Sequence, residues 1–225
     1  KAFSTALFSA LQQFGFVILT DHQVPVGLLD DAYRLSEQLF ALSEATKRQY
    51  MGGLRGYTPF GIEHARNNRF ADLKEFWQVG RELPAGVAQD EPMQPNVWPQ
   101  ALPGFRETFL QLYAGLDETA RLLLQALSVG LGVANDYFDP LVRNGNSILR
   151  LIHYPPIADG TDPGCVRSAA HEDINFLTIL VAARGAALQL LDTDGAWLPV
   201  ETHPRNLIVD SGDMLARLTN NVIPA

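Results

Sequence analysis

From residue 146 onward the chain is a succession of short apolar, β-branched runs broken by turn residues. That pattern limits the fold more than anything before it. The runs are Ser147–Tyr154, Ile174–Ala182, Ala187–Leu191, Trp197–Val200 and Asn206–Val209. Between them stand Asp159-Gly160, Asp162-Pro163-Gly164, Asp192-Thr193-Asp194-Gly195, Thr202-His203-Pro204 and Ser211-Gly212-Asp213. Asp, Gly and Pro adopt the backbone conformations that reverse a chain, so each cluster closes one strand and opens the next. Short strands at this spacing predict a sandwich or a barrel.

The first 145 residues carry a different period. Phe3, Leu7, Leu11 and Phe14 have helical spacing over 2–14, and Gly15 stops that helix. Phe16–Leu19 reads as a short buried strand, and Asp21–Pro25 as a turn containing His22. A second amphipathic helix is predicted over 26–41, and Ser43 is placed to cap a third with Glu44 in its first turn. Residues 52–61 read as a glycine-rich loop exposing Arg55, Tyr57 and Phe60, without the strand–glycine–helix order of a phosphate loop. Leu73–Val79 has strand character, and the prolines between 83 and 104 predict an extended surface connection. Phe105, Phe109, Leu112, Leu116, Ala120, Leu123, Leu127 and Leu131 then make one apolar face of a long helix over 105–131, and a short helix follows near 135–143. An α-rich region over 1–145 is thus expected to pack on a β region over 146–225, the two forming one compact unit.

At 47% hydrophobic and 19% charged, the chain can bury a real core. A net charge of −8 argues against nucleic acid and anionic membranes as partners, because both call for clustered Lys and Arg. No run reaches the roughly 18–20 apolar residues of a membrane span. One cysteine, Cys165, excludes an intrachain disulfide and predicts a reducing, cytoplasmic setting. Cys165 lies in a Pro-Gly loop with nothing to lower its pKa, which makes it a poor nucleophile.

The chemistry centres on His171-Glu172-Asp173, which opens an apolar, β-branched run. In a strand, residues two apart share a face, so one imidazole and one carboxylate reach a single cation and Glu172 turns away. With five histidines in the chain, His-x-Asp alone arises by chance in about one chain in three. Its surroundings add the weight. Leu149–Pro156 ends in Tyr154-Pro155-Pro156, and Leu177–Leu180 follows the His-x-Asp. Further on come Leu188-Gln189-Leu190, Asp194–Val200 and Asn206–Leu215, then Leu218-Thr219-Asn220-Asn221. Earlier stretches are Gly15-Phe16-Val17, Asp21–Pro25, Arg55-Gly56-Tyr57 and Lys74-Glu75. Together these resemble the isopenicillin N synthase-like family of non-haem iron, 2-oxoglutarate-dependent oxygenases, in order and spacing along nearly the whole chain.

That resemblance implies a mainly β fold with flanking helices. Its core is a double-stranded β-helix, the jelly-roll that cupins share. It implies Fe(II) held by His171, Asp173 and a second histidine expected just beyond Ala225, with the arginine that pairs with the 2-oxoglutarate tail further downstream. The chain is accordingly expected to be part of a longer protein. It implies 2-oxoglutarate and O2 as co-substrates, and oxidation of a small organic molecule with release of succinate and CO2. Tyr154 matches the tyrosine that contacts a pocket carboxylate; its structural alternative is a strand-end tyrosine with its hydroxyl in water. Two other functions remain open: an oxidase of the same fold that uses no 2-oxoglutarate, and a metal-free binding module. A monomer or weak homo-oligomer is expected.

Arg150 shares a strand face with Ile152 and Tyr154, as either a structural ion pair or a substrate clamp. His153, on the opposite face, reads as a core or interface histidine, His203 as a turn residue and His64 as solvated. Asn175 shares the metal face. Arg55, Tyr57, Phe60 and Phe76 are candidates for a substrate mouth, each with a structural alternative.

Overall fold

The computed structural model describes residues 1–64, 69–84, 86–87, 93–181, 188–191 and 194–225. In chain order the first half contains α1 (Ala2–Phe14), β1 (Phe16–Leu19), α2 (Val26–Phe40), α3 (Glu44–Arg48), β2 (Gly56–Thr58), β3 (Glu75–Gly80), α4 (Phe105–Leu131) and α5 (Asp139–Val142). There follow β4 (Ile148–His153), β5 (Leu177–Val181), β6 (Gln189–Leu191), β7 (Trp197–Pro199), β8 (Leu207–Ser211) and α6 (Asp213–Leu218). The expected strand ends at Ala182 and Ala187, and half of the turn Asp192-Thr193-Asp194-Gly195, lie outside the described residues. Among the described residues no helix is long and apolar enough to cross a membrane. The chain forms two compact units, one from 1–29, 118–140 and 172–225, the other from 30–117 and 141–171.

The first unit holds an antiparallel sheet in the order β1-β8-β5. Val209 of the central strand pairs with Val17 on one side and Ile179 on the other. Leu207, Val209, Leu215 and Ile223 are fully buried there, with Leu11 from α1 and Leu127 from α4. Gly15 ends α1 in the left-handed region (φ 64°), where a side chain is strained, and its N–H returns to the Leu11 carbonyl at 2.9 Å. The residues read as the turn Ser211-Gly212-Asp213 end β8 and start α6 at Asp213. Six residues are too few for a periodic signal, which is why the sequence reads there only as a turn.

The second unit holds the sheet β2-β3-β4, also antiparallel, with Tyr57, Trp77 and Leu151 in register across it. All of β3 is buried, as a central strand covered on both faces requires. Trp77 sits between the rings of Tyr50 and Phe105, at 5.8 and 5.7 Å, and Phe105 packs on Phe109 at 4.4 Å. The stripe predicted on α4 is buried from Phe105 to Leu127, apart from the half-buried Ala120.

One loop reading is corrected here. Gly56–Thr58 is a strand, and Arg55 and Tyr57 are buried at 1% and 2% exposure rather than displayed. The Arg55 guanidinium lies against the backbone of Gly80, in the space a Cβ there would fill. It donates to the Leu54 carbonyl and to Asn146 Oδ1, and burial pushes its pKa down. Phe60 is exposed, as expected.

Candidate functional site

His171, Glu172 and Asp173 precede the strand rather than open it, since β5 begins at Leu177. Side-chain alternation therefore does not direct them, and Glu172 is exposed for a different reason than expected. Local hydrogen bonds do the directing. His171 Nδ1 lies 2.8 Å from the Ala169 carbonyl oxygen. A carbonyl only accepts, so Nδ1 carries the proton and the neutral ring has its lone pair on Nε2. That is the tautomer a metal-ligating imidazole needs.

Asp173 is fixed from two sides. Its carboxylate accepts a hydrogen bond from the Thr178 hydroxyl, which in turn accepts from Asn175 Nδ2 at 2.8 Å. Its carbonyl accepts from the Asp213 N–H at 2.9 Å. The neighbouring amides of Gly212 and Met214 donate to Phe176 and Asn175, each at 3.1 Å. Gly212 permits this approach: a Cβ there would stand 2.5 Å from the Asn175 oxygens and 2.6 Å from the Asp173 carbonyl. Sequence reading found Asp173 and Asn175 but not Thr178, although an i+5 hydroxyl beyond a turn is the only local signal it offers.

Tyr154 is 39% exposed. Burial raises its phenol pKa, against the opposing pull of the Lys74 ammonium and a side-chain hydrogen bond with Ser168. Lys74 itself is buried, 2.8 Å from Asp72 and 2.7 Å from Glu63. Burial pulls the ammonium down, yet the hydrogen bonds to Asp72 and Glu63 outweigh it and hold the pKa above the ordinary lysine value. Arg150 joins the same cluster, 3.1 Å from Glu63, with its guanidinium 4.4 Å above the Phe76 ring. Of the two roles left open for Arg150, the ion pair is therefore the one observed. Phe76 is 4% exposed beneath it.

The remaining histidines take structural places. His153 Nδ1 is 2.8 Å from Glu75, and its ring stacks on Phe40 at 5.2 Å. Glu75 also receives Lys47 at 2.6 Å, while the Tyr57 hydroxyl lies 2.8 Å from Glu44 and 2.5 Å from Glu75. Burial pushes the Glu75 carboxyl up, but the bonds from Lys47, Tyr57 and His153 outweigh it and hold it below the usual range. His203 accepts from the Arg205 N–H in its turn, His64 is exposed, and His22 contacts the Arg205 carbonyl. Cys165 is a free, half-buried thiol.

Among the described residues no three His, Cys, Asp or Glu side chains cluster as a metal site. The donors that are present suit one: an imidazole held in the ligating tautomer, and a carboxylate held by a hydroxyl.

Two family models match the chain. Residues 1–101 match the N-terminal region described as "non-haem dioxygenase in morphine synthesis", and residues 145–225 match the 2OG-Fe(II) oxygenase superfamily. A solved Caulobacter crescentus protein assigned to the 2OG-Fe(II) oxygenase family is 43% identical with a TM-score of 0.88, over 100% of this chain and 73% of that one. A full-length Neurospora crassa protein solved in complex with alpha-KG is 28% identical with a TM-score of 0.86, over 99% of this chain and 71% of that one. The 2-oxoglutarate-Fe(II) type oxidoreductase hxnY of Emericella nidulans is 30% identical over 92% of this chain, which spans 63% of that relative.

Proposed function

This chain belongs to the 2OG-Fe(II) oxygenase family, and on that premise we propose that it supplies most of an Fe(II)- and 2-oxoglutarate-dependent oxygenase. The enzyme oxidises a small organic substrate, by hydroxylation, with release of succinate and CO2. The observation that carries the reading is the pair His171 and Asp173, each oriented by its own neighbour, inside the segment the superfamily model matches. The jelly-roll core and the division into 1–145 and 146–225 belong to the same proposal.

His171 Nε2 and the Asp173 carboxylate would hold the iron. When bound, the iron supplies the oxidative chemistry, with O2 and 2-oxoglutarate as co-substrates. The chain's own residues supply geometry. The Ala169 carbonyl keeps the His171 proton on Nδ1, and the Thr178 hydroxyl fixes the Asp173 carboxylate. The Tyr154 phenol, which burial pushes further above its ordinary value, would donate a hydrogen bond to a carboxylate of 2-oxoglutarate. Relatives named for 2-oxoglutarate, and one solved with it, favour this reading over an oxidase that omits the co-substrate.

The test is succinate release by the full-length protein, loaded anaerobically with Fe(II) and then given O2, 2-oxoglutarate and a panel of small organic candidates. His171→Ala and Asp173→Ala are expected to lose more than the roughly 10–100-fold caused by removing an outer-sphere partner. Turnover that persists in both variants overturns the iron assignment.

A further inference from the structure

Residues 168–171 have no regular secondary structure, yet a ligating imidazole has to be held to within a fraction of an ångström. What fixes this stretch comes from far away in the chain. Asp72 Oδ1 accepts from the Ala169 N–H at 3.0 Å, across 97 residues. The Leu73 N–H donates to the Val166 carbonyl at 2.9 Å. Asp72 is in turn held by Lys74 at 2.8 Å, with the two side chains 3% and 5% exposed. Lys74 also reaches Glu63 at 2.7 Å and the Ser168 hydroxyl at 3.5 Å, and Glu63 pairs with Arg150 at 3.1 Å.

This quartet of two carboxylates and two cations is neutral, so it calls for no bound ion to balance it. Its outlet is Ala169, whose two backbone groups are both engaged. The N–H is held by Asp72 and the carbonyl by His171 Nδ1. Any movement of Asp72 therefore reaches the imidazole through one peptide residue.

We infer that Asp72 and Lys74 are positioning residues for the His171 ligand: through Ala169 they set the tautomer and direction of its imidazole. This rests on the iron reading above.

The experiment uses the full-length protein and Mn(II) as the probe. Affinity is read from the loss of the free-ion electron paramagnetic resonance signal, and stability from urea unfolding of the same samples. Asp72→Ala is expected to weaken Mn(II) binding about 10–100-fold. Asp117→Ala is the control. It cuts the Arg81–Asp117 pair, a 2.7 Å contact in the same unit, without touching 166–171, so it loses stability and keeps Mn(II) affinity. Asp72→Asn keeps an acceptor for the Ala169 N–H and recovers affinity relative to Asp72→Ala. If Asp72→Ala is too unstable to assay, Lys74→Gln decides, with a several-fold weakening expected. Unchanged affinity in a folded Asp72→Ala or Lys74→Gln, or equal weakening in Asp117→Ala, overturns the positioning role. A wild-type protein that binds no Mn(II), or binds it equally well as His171→Ala, overturns the iron reading instead.

Discussion

Gly212→Ala is the sharpest test of how the Asp173 segment is held. The backbone of Gly212 is extended (φ −106°, ψ 172°), a conformation alanine adopts without strain, so the cost in the folded state is steric. The new Cβ would stand 2.5 Å from Asn175 and 2.6 Å from the Asp173 carbonyl, where ordinary contact begins near 3.4 Å. The two backbones have to part by about 0.9 Å. The amide bonds between them are 2.9–3.1 Å long, and that separation takes them past hydrogen-bond range. The chain either keeps the bonds and pays an overpacking cost of about 1–3 kcal/mol, or gives up bonds worth about 1 kcal/mol each. Restricting the unfolded chain returns about 0.4–1 kcal/mol. The net loss is about 0.5–2.5 kcal/mol. With a urea slope of about 2 kcal/mol/M, the midpoint falls by about 0.25–1.25 M at an unchanged slope. Gly27→Ala is the counterpart: nothing lies within 4 Å of a Cβ there, in the first turn of α2, and the change is expected to stabilise by about 0.5–1 kcal/mol. A Gly212→Ala midpoint at or above wild type, or an equal fall in Gly27→Ala, refutes the steric reasoning.

Tyr154→Phe removes the proposed donor to 2-oxoglutarate and leaves the ring. The KM for 2-oxoglutarate should rise about 10–100-fold, the value of one hydrogen bond to a charged group, while Mn(II) affinity stays put; an unchanged KM removes Tyr154 from the site. Glu75 tests the buried network around β3. Its carboxyl is held below the usual range, so the stability it adds is present above the unfolded value near 4.3 and is lost as pH falls through the lower folded value. Urea midpoints of the wild type should therefore fall more steeply with acid below about pH 4.3 than those of Glu75→Gln, and parallel curves would show that the network adds nothing.

What the sequence made legible was whatever lies within one element or one turn. The α4 stripe announced itself because eight apolar residues kept helical spacing and most of them are buried. The Gly15 stop and the Ser43 cap, whose hydroxyl accepts from the Thr46 N–H, are equally local. Tyr57 went the other way. A run of glycines around it reads as loop, and only pairing with Trp77 makes it a strand. Arg55 shows the same limit, because a charged residue reads as exposed until a distant glycine, Gly80, gives its guanidinium a surface to lie on. The site divides along this line too. His171 and Asp173 were readable as residue types two apart, but the strand alternation expected to aim them is absent. Ala169 and Thr178 turn the two side chains, while the backbone that carries them is held by Asp72 across 97 residues and by the start of α6. No periodicity encodes either contact, since a buried carboxylate and the amide it serves share no spacing. The ligands of such a site and their immediate partners are thus specified locally, and the backbone beneath them is held non-locally. That is why substitutions at Asp72 and Gly212, both outside the His-x-Asp motif, should weaken metal binding in a protein that still folds.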